Sequence, residues 1–278
     1  MDATQLFAGL PGITAEPGGA KYAILDLGAQ ALAWQPPGTR GVLWVSTQAQ
    51  FAPGVAVRGG VPVVFPWFGK GLDGTREPSH GYARITDWHR VSVNHADAEL
   101  TVVYALPEAD GLSAGLRAAF TPTDFSVTLS VTNTAAEPVT YEAALHTYLA
   151  VGDIRQVSID GLDGASYLDM AADEPGPHVQ AGAVRFDGET DRLYTHSGTA
   201  VLHDPAWGRS IVVEKSGSTG TVIWNPWVDK AERMADFGDD EWQGMVCIEA
   251  ANVRDHAVTL QSGETSELVS SLQVRPLG

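Results

Sequence analysis

Cysteine and long apolar runs are scarce in this chain of 278 residues. Its single cysteine, Cys247, excludes an internal disulfide and a metal site built from cysteines, and it fits a reducing cytoplasm. No apolar stretch approaches the roughly 18 residues of a membrane span, and the first residues lack the basic flank and apolar run of a signal peptide. We therefore expect a soluble cytoplasmic protein that has no membrane partner.

Positive charge is also in short supply. The chain has 17 Lys and Arg residues against 34 Asp and Glu residues, so its formal net charge is -17. A field of that sign repels nucleic acid and anionic membrane surfaces. We therefore expect no nucleic-acid partner.

Several signatures of catalysis are missing as well. The sequence has no Gly-x-Ser-x-Gly elbow, phosphate-binding loop, dinucleotide fingerprint or His-x-x-x-His metal pair. Covalent and redox mechanisms thus lose their usual markers, and we expect neither a cofactor nor a bound metal. The acidic segment Asp236–Glu241 superficially resembles a calcium loop but lacks its alternating ligand spacing, so we interpret it as a solvated turn.

Alternation of apolar and polar residues is the dominant pattern that is present. From Phe125 to Val131 every second side chain is apolar and the others are hydroxyls, which is typical of a half-buried antiparallel strand. Similar short runs between turn residues occur at Tyr22–Leu27, Gly41–Ser46, Leu100–Tyr104, Val157–Ile159, Ile211–Glu214, Thr221–Trp224, Met245–Glu249 and Val258–Leu260. The best helical segments, near Thr4–Ala8 and Asp229–Met234, have only one or two turns. The sequence therefore predicts an all-β fold with few short helices.

The chain shows no internal division. No composition break, low-complexity stretch or short repeat separates one part from another, so we expect a single domain over residues 1–278. The segment Phe65–Ser79, rich in Gly and Pro, is predicted to be a long ordered loop. Loops on a rigid scaffold commonly carry the functional site.

Two consecutive segments contain side chains suited to a polar ligand. Arg58–Gly69 combines a cation, a glycine pair and aromatic surface on which a sugar could pack, although a proline-rich turn whose aromatics fill the core is the plainer interpretation. In the next segment, an extended backbone would place His80, Tyr82 and Arg84 on one face. A solvent-facing edge strand is the alternative, which we favour less because the small residues between them would leave a thin opposite face.

A histidine and a glutamate form the second candidate group. His146 lies in an apolar, strand-like run, where a lone histidine is more often a core residue than a catalyst. Glu249 ends the apolar run Met245–Glu249, and an ionised carboxylate is expensive to bury unless a cation or donor meets it. Trp224 and Trp227 could each stack on a pyranose ring or pack in the core. Cys247, two residues before Glu249, is predicted to be a small buried side chain.

Taken in order, these segments resemble the glucose-6-phosphate 1-epimerase (hexose-6-phosphate mutarotase) branch of the aldose 1-epimerase family. The similarity spans nearly the whole chain. Its landmarks are Arg58–Gly69, His80–Arg84, Leu145–Leu149, Gly161–Gly164, Thr190–Tyr194, Trp224–Trp227, Met234–Asp239 and Cys247–Glu249. The resemblance implies a large antiparallel β-sandwich of the galactose-mutarotase type, whose concave face holds the sugar.

The resemblance also implies an isomerase that interconverts the α and β anomers of a hexose 6-phosphate, with glucose 6-phosphate as the foremost candidate. Ring opening requires one group to remove the proton of the C1 hydroxyl and another to protonate the ring oxygen. By the resemblance, Glu249 takes the place of the base and His146 that of the acid. A carboxylate near the histidine is expected to favour its charged form.

The remaining site residues are assigned by the same resemblance. Arg58 and Arg84 match arginines that line the site, and their forked donors suit phosphate, unless they pair with neighbouring carboxylates instead. His80 matches a second histidine, Asp191 a carboxylate that orients sugar hydroxyls, and Trp224 is a stacking candidate. A mutarotase of free aldoses and a non-catalytic carbohydrate-binding domain remain as alternatives, since a fold does not fix a function. We expect a monomer.

Overall fold

The computed structural model describes residues 7–277, and within that range nearly all regular structure is β. In chain order the strands are β1 (Gly12–Ala15), β2 (Lys21–Leu25), β3 (Gln30–Gln35), β4 (Val63–Val64), β5 (His89–Ala96), β6 (Glu99–Ala105), β7 (Leu112–Phe120), β8 (Asp124–Asn133), β9 (Val139–Tyr141), β10 (Ala143–Leu145), β11 (Tyr148–Ala150), β12 (Ser158–Asp160), β13 (Ser166–Asp169), β14 (His178–Val179), β15 (Thr190–Thr195), β16 (Ala200–Asp204), β17 (Arg209–Ser216), β18 (Gly220–Asn225), β19 (Met245–Asn252), β20 (Val258–Leu260) and β21 (Thr265–Pro276).

Helices are short. One α-helix, α1 (Trp227–Ala231), occurs among the described residues, together with 3-10 turns at Pro17–Gly19, Ala83–Ile85, Ile154–Gln156, Glu241–Gly244 and Arg254–His256. None of the helices within residues 7–277 has the length and apolar character needed to cross a membrane.

Two eight-stranded antiparallel sheets dominate the architecture. The front sheet has the order β14-β13-β15-β18-β19-β10-β4, with β11 also paired to β19. The back sheet has the order β12-β16-β17-β21-β8-β7-β6-β5. Strands β10 and β19 of the front sheet contact β21 of the back sheet, and β19 also contacts β17. The predicted large antiparallel β-sandwich is therefore confirmed.

Alternating burial explains why the back sheet forms where it does. In β8 the side chains of Phe125, Val127, Leu129 and Val131 are buried and the residues between them are partly exposed. Each apolar residue removed from water in this way stabilises the fold by roughly 1.5 to 3 kcal/mol before the conformational entropy is subtracted. The front-sheet strand β19 differs, because all eight of its residues are buried. Its two faces are both covered, one by the back sheet and the other by the side chains described below.

Most predicted strands are present, and the differences have local causes. The segment Gly41–Ser46 forms only isolated bridges, from Leu43 to Leu149 of β11 and from Val45 to Gly59, because its partner changes from a strand to a loop within three residues. The predicted strand Val157–Ile159 appears one residue later, as β12. Helix α1 begins two residues earlier than the predicted Asp229–Met234 and ends sooner. Most of the predicted helix near Thr4–Ala8 lies outside the described residues.

The long loop is as predicted. Between Phe65 and Ser79 the chain runs in turns and bends without a regular element. Its backbone is tied to the scaffold, since the Phe68 amide donates to the buried Glu142 carboxylate at 3.1 Å, and the Trp67 indole donates to the Pro78 carbonyl at 2.9 Å.

Candidate active site

Strand register places His146 opposite Glu249. Leu145 of β10 pairs with Ala250 of β19, and Tyr148 of β11 pairs with Cys247 of the same strand. Both ladders share one register, so the residue between them, His146, faces Glu249 across the strand gap. The His146 Nδ1 lies 3.4 Å from the Glu249 Oε1, and the two side chains are 12% and 1% exposed. The acid and base predicted from the sequence therefore lie next to each other and are largely shielded from solvent.

A row of side chains crosses the front sheet next to this pair. Asp191 of β15 pairs with Trp224 of β18, Trp224 pairs with Cys247 of β19, and Cys247 pairs with Tyr148 of β11. Directly paired residues point to the same face of a sheet. Glu249 is two residues beyond Cys247 and shares that face, because side chains alternate along a strand. The register of four strands therefore assembles one polar surface.

Burial and neighbouring cations control the protonation of the central pair. Burial raises the pKa of the Glu249 carboxyl well above its usual range, and Asp191 raises it further. Burial lowers the pKa of His146 well below 6.5, and His80, Arg58 and Arg84 lower it further. The expectation that the carboxylate would keep His146 charged is therefore wrong. Desolvation and two nearby guanidinium groups outweigh the attraction of one buried carboxylate.

Arg58 is braced rather than free. Its Nε and Nη2 donate to the two carboxylate oxygens of Asp236 at 3.1 and 3.2 Å, and its Nη1 donates to the Tyr148 hydroxyl at 2.9 Å. The Tyr148 ring stacks on the His146 imidazole with a centroid distance of 4.6 Å and an interplanar angle of 4°. Asp236 and Arg58 thus act through Tyr148 to fix the plane of His146. The interpretation of Asp236–Glu241 as a solvated turn is wrong, because Asp236 pairs with Arg58 and Glu241 accepts hydrogen bonds from Ser46, Thr47 and Gly238.

Arg84 is the cation with unused donors. Its Nη2 donates to the Ser79 carbonyl at 2.7 Å, while its buried Nε has no hydrogen-bond partner. No carboxylate among residues 7–277 lies within ion-pair distance of it, and Asp236, whose charge raises the pKa of Arg84, already pairs with Arg58. A buried donor without a partner is costly, so a ligand anion that meets it would be stabilised.

His80 reaches the site by a turn and not by an extended strand. Its φ of +66° and that of Gly81, +74°, place both residues in the left-handed region, and Ala83–Ile85 is a 3-10 turn. The prediction that His80, Tyr82 and Arg84 share one strand face is therefore wrong. Tyr82 turns away and donates to Asp110 at 3.2 Å, whereas His80 and Arg84 both lie close enough to lower the pKa of His146.

The state of the His80 ring is defined by its surroundings. Its Nδ1 accepts a hydrogen bond from the Gly69 amide at 3.3 Å, which leaves the proton on Nε2. Burial, Arg84 and Arg58 lower the pKa of His80 to about 3. His80 is accordingly a neutral hydrogen-bond donor at physiological pH.

Asp191 and Trp224 form the far side of the surface, where the structure adds a residue that the sequence did not single out. Lys230 of α1 donates to Glu189 at 2.7 Å, lies 3.6 Å from the Asp191 carboxylate and approaches the Trp224 ring at 6.0 Å. Burial nevertheless raises the pKa of Asp191, and Lys230 only partly offsets this. Trp224 is 7% exposed and packs edge-on against His146 and Tyr148, so both of its proposed roles, core and site wall, are compatible with its position.

Sequence patterns could have found one of the missed residues. Tyr148 follows His146 at the two-residue spacing of a strand face, which is a usable signal. Asp236 and Lys230 reach the site from a turn and a short helix, and no local pattern indicates where those will dock. Cys247 is buried as predicted, and burial raises its thiol pKa well above the usual value. Among the described residues no group of three or more His, Cys, Asp or Glu side chains could hold a metal ion.

Comparisons with known proteins identify relatives of this chain. The family model described as "Aldose 1-epimerase" matches residues 12–273. A protein of Cenchrus ciliaris named "Putative glucose-6-phosphate 1-epimerase" is 34% identical over 254 residues, covering 85% of this chain and 76% of that protein. A protein of the same name from Escherichia coli K12 is 34% identical over 238 residues, covering 81% and 77%. A crystal structure of a "putative mutarotase" from Salmonella typhimurium superposes with a TM-score of 0.88 at 27% identity, covering 98% of this chain and 99% of that one.

Proposed function

This chain belongs to the aldose 1-epimerase family, and we propose that it interconverts the α and β anomers of a hexose 6-phosphate, with glucose 6-phosphate as the substrate. It is an isomerase of the epimerase, or mutarotase, class. The names of two relatives at 34% identity support the phosphorylated sugar, as does the buried Nε of Arg84, which has no hydrogen-bond partner. The observation that carries the proposal is the 3.4 Å approach of His146 to Glu249 inside a buried surface.

The proposed reaction needs one proton held between two groups. The Glu249 carboxylate removes the proton of the C1 hydroxyl while the His146 imidazolium protonates the ring oxygen, and the C1–O5 bond breaks to give the open-chain aldehyde. Rotation about the C1–C2 bond turns the other face of the carbonyl toward the ring oxygen. Glu249 then returns its proton to the carbonyl oxygen and His146 takes back its proton as the ring closes. The enzyme is regenerated with no net change.

Arg58 and Arg84 differ in how many donors they can offer to the phosphate. A guanidinium has five N–H donors, and Arg58 uses three of them on Asp236 and Tyr148. It can offer the phosphate two at most. Arg84 uses one on Ser79 and offers the rest, so Arg84 is proposed as the main phosphate ligand. His80 donates from Nε2, Asp191 accepts from sugar hydroxyls, and Trp224 provides apolar surface beside the ring.

Removing either proton carrier tests the chemical step. We expect Glu249→Gln and His146→Asn each to reduce the conversion of α- to β-glucose 6-phosphate to the spontaneous rate, because each variant keeps the size but cannot exchange a proton. Polarimetry, or coupling to a dehydrogenase that accepts one anomer, measures the rate. His203→Asn, which alters a histidine on the back sheet paired with Asp160, is the control and should keep full activity. Full activity in Glu249→Gln or His146→Asn would refute the assignment of that residue.

Comparing two sugars tests the phosphate. In Arg84→Ala we expect kcat/KM for glucose 6-phosphate to fall by about one to two orders of magnitude, which corresponds to charge-assisted hydrogen bonds of roughly 1.5 to 3 kcal/mol, while free glucose is hardly affected. Arg58→Ala should lower kcat/KM for both sugars alike, because Arg58 positions His146 through Tyr148. Equal losses in Arg84→Ala, or a wild type that prefers free glucose, would favour the mutarotase of free aldoses instead.

A further inference from the structure

A second concave site lies away from the acid–base pair, at the end of the back sheet. It is a cavity of about 460 Å³ between the start of β17, the end of β21 and the turns at residues 36–40 and 122–123. Its size falls within the range of small-molecule sites, about 300 to 1,000 Å³. No residue that lines it belongs to the candidate active site. We call it the arginine cavity, after Arg40, Arg209 and Arg275 in its wall.

The charge of this wall is opposite to that of the protein. Acidic residues outnumber basic ones by 34 to 17 over the chain, yet three of the twelve residues that line the cavity are arginines and none is Asp or Glu. Two carboxylates lie behind the wall. Asp204 is buried 3.7 Å from the Arg209 Nε, and Asp124 accepts from Gln273, which in turn accepts from Arg275. Two of the three cations, Arg40 and Arg275, have no ion pair among the described residues.

One aromatic ring is placed against the arginines. The guanidinium carbons of Arg40 and Arg209 lie 5.1 and 4.7 Å from the centroid of the Trp207 ring. Arg209 is held nearly buried by three carbonyl acceptors, those of Arg40, Gly41 and Ala150, while its Nε is buried without a hydrogen-bond partner. Burial lowers the pKa of Arg209 to about 10, and Asp204 only partly offsets this effect. The wall therefore combines one buried guanidinium with the two exposed guanidinium groups of Arg40 and Arg275.

The rest of the lining indicates what kind of anion fits. Three prolines, Pro36, Pro122 and Pro276, and Val274 provide apolar walls, and two threonines carry the only acceptor oxygens among the lining side chains. The many hydroxyls of a sugar donate hydrogen bonds as well as accept them, and these side chains offer few acceptors for them. A nucleobase has a π face, which stacks well on tryptophan, proline and guanidinium planes.

We propose that the arginine cavity binds a small phosphate ester with a planar base, of the mononucleotide class, with its phosphate on Arg40 and Arg275 and its base against Trp207. Both phosphate-binding arginines are exposed, so they can be changed without opening the core. The site is independent of the mutarotase reaction, because none of its lining residues touches the acid–base pair.

Calorimetric titration of the whole protein with adenosine 5'-monophosphate tests the proposal. We expect saturable binding that weakens by roughly tenfold or more in Arg40→Ala and in Arg275→Ala, as for the loss of a charge-assisted contact. Arg117→Ala removes an exposed arginine of β7 outside the cavity and should leave the affinity unchanged. Adenosine without phosphate and inorganic phosphate without a base should both bind much more weakly.

Three outcomes would overturn the proposal. Absence of binding at millimolar adenosine monophosphate refutes the site. Equal binding of inorganic phosphate refutes the nucleotide class. Binding that is unchanged in both cavity variants but lost in Arg84→Ala assigns the nucleotide to the candidate active site instead. Since the readout is binding and not turnover, failure here leaves the proposed anomerisation untouched, and loss of that proposal leaves this one standing.

Discussion

In the proposed mechanism one proton is held by either His146 or Glu249, and its position is the central question at the scale of single residues. Burial favours the uncharged form of both groups, which corresponds to a protonated Glu249 and a neutral His146. The reactive state has the same proton on His146, across the 3.4 Å between them. A phosphate dianion bound to Arg84 would offset the cations that lower the pKa of His146. If the proposed substrate binds in this way, its phosphate favours the reactive state without any proton exchange with solvent.

A buried carboxyl that prefers its neutral form makes the folded state sensitive to pH. Because the folded pKa of Glu249 is raised above the unfolded value near 4.5, its contribution to stability is complete below about pH 4.5 and is lost progressively as the pH rises toward the folded pKa. Glu249→Gln removes this titration and leaves an amide that can donate to His146. We expect this variant to be inactive yet more stable than the wild type at pH 8.

Thermal unfolding at pH 5 and pH 8 measures the effect. A gain of 1 kcal/mol corresponds to roughly 2 °C in a protein of this size, and the gain should be larger at pH 8 than at pH 5. Glu267→Gln, which changes a carboxylate of β21 that accepts from Ser130 at the surface, is the control and should not show this pH dependence. A Glu249→Gln variant less stable than the wild type at pH 8 would contradict the protonation state described above.

At the scale of elements, the turn at Gly81 brings His80 and Arg84 to the site. A Cβ atom at Gly81 would lie 2.0 Å from the Phe65 carbonyl oxygen, so the turn closes only without a side chain. We expect Gly81→Ala to lower the melting temperature and to reduce activity on glucose 6-phosphate by at least an order of magnitude, as misplaced binding groups commonly do. Thermal unfolding and the anomerisation rate can both be measured on one preparation.

Gly74→Ala is the matched control for this turn. Gly74 has nearly the same positive φ, +72°, but nothing lies within 4 Å of a Cβ atom there. The stability of Gly74→Ala should therefore fall only by the roughly 1 to 2 kcal/mol that the left-handed conformation costs a residue with a Cβ atom, and its activity should be kept. If the two variants behave alike, backbone strain alone explains the result and the close approach at Gly81 has no functional role.

Elements differ in how well the sequence predicts them, so some parts of the site can be predicted and others cannot. Period-two alternation identifies β8, and the apolar run of β19 includes Glu249, so the strand that carries the base is predictable. The pairing that sets His146 opposite Glu249 depends on register between distant segments, and only the resemblance to a family indicated it. The local sequence wrongly predicts an extended segment from His80 to Arg84. The Phe65 carbonyl, whose close approach requires a glycine at position 81, lies 16 positions earlier in the chain, so no local pattern indicates the turn.

At the scale of the whole molecule, net charge and local charge act over different distances. The net charge of -17 opposes the approach of a phosphate dianion. At physiological ionic strength the screening length is about 8 Å, so remote carboxylates act weakly on a ligand that is already bound. The charge of the partly buried Arg84 is screened much less. We therefore expect the acidic surface to slow the encounter with the proposed substrate, and the few inward-facing cations to determine its affinity.

The two halves of the site have separate scaffolds, which has a consequence for how new specificities could arise. The proton carriers are fixed by the register of β10, β11 and β19, where every residue of β19 is buried and substitutions are poorly tolerated. His80 and Arg84 lie on a loop and turn outside the sheets. We expect the exchange of residues 65–85 with the corresponding segment of another family member to change the sugar preference and also the pKa of His146, because His80 and Arg84 both lower that pKa. The segment between β4 and β5 is therefore a suitable unit to vary in laboratory evolution of this enzyme.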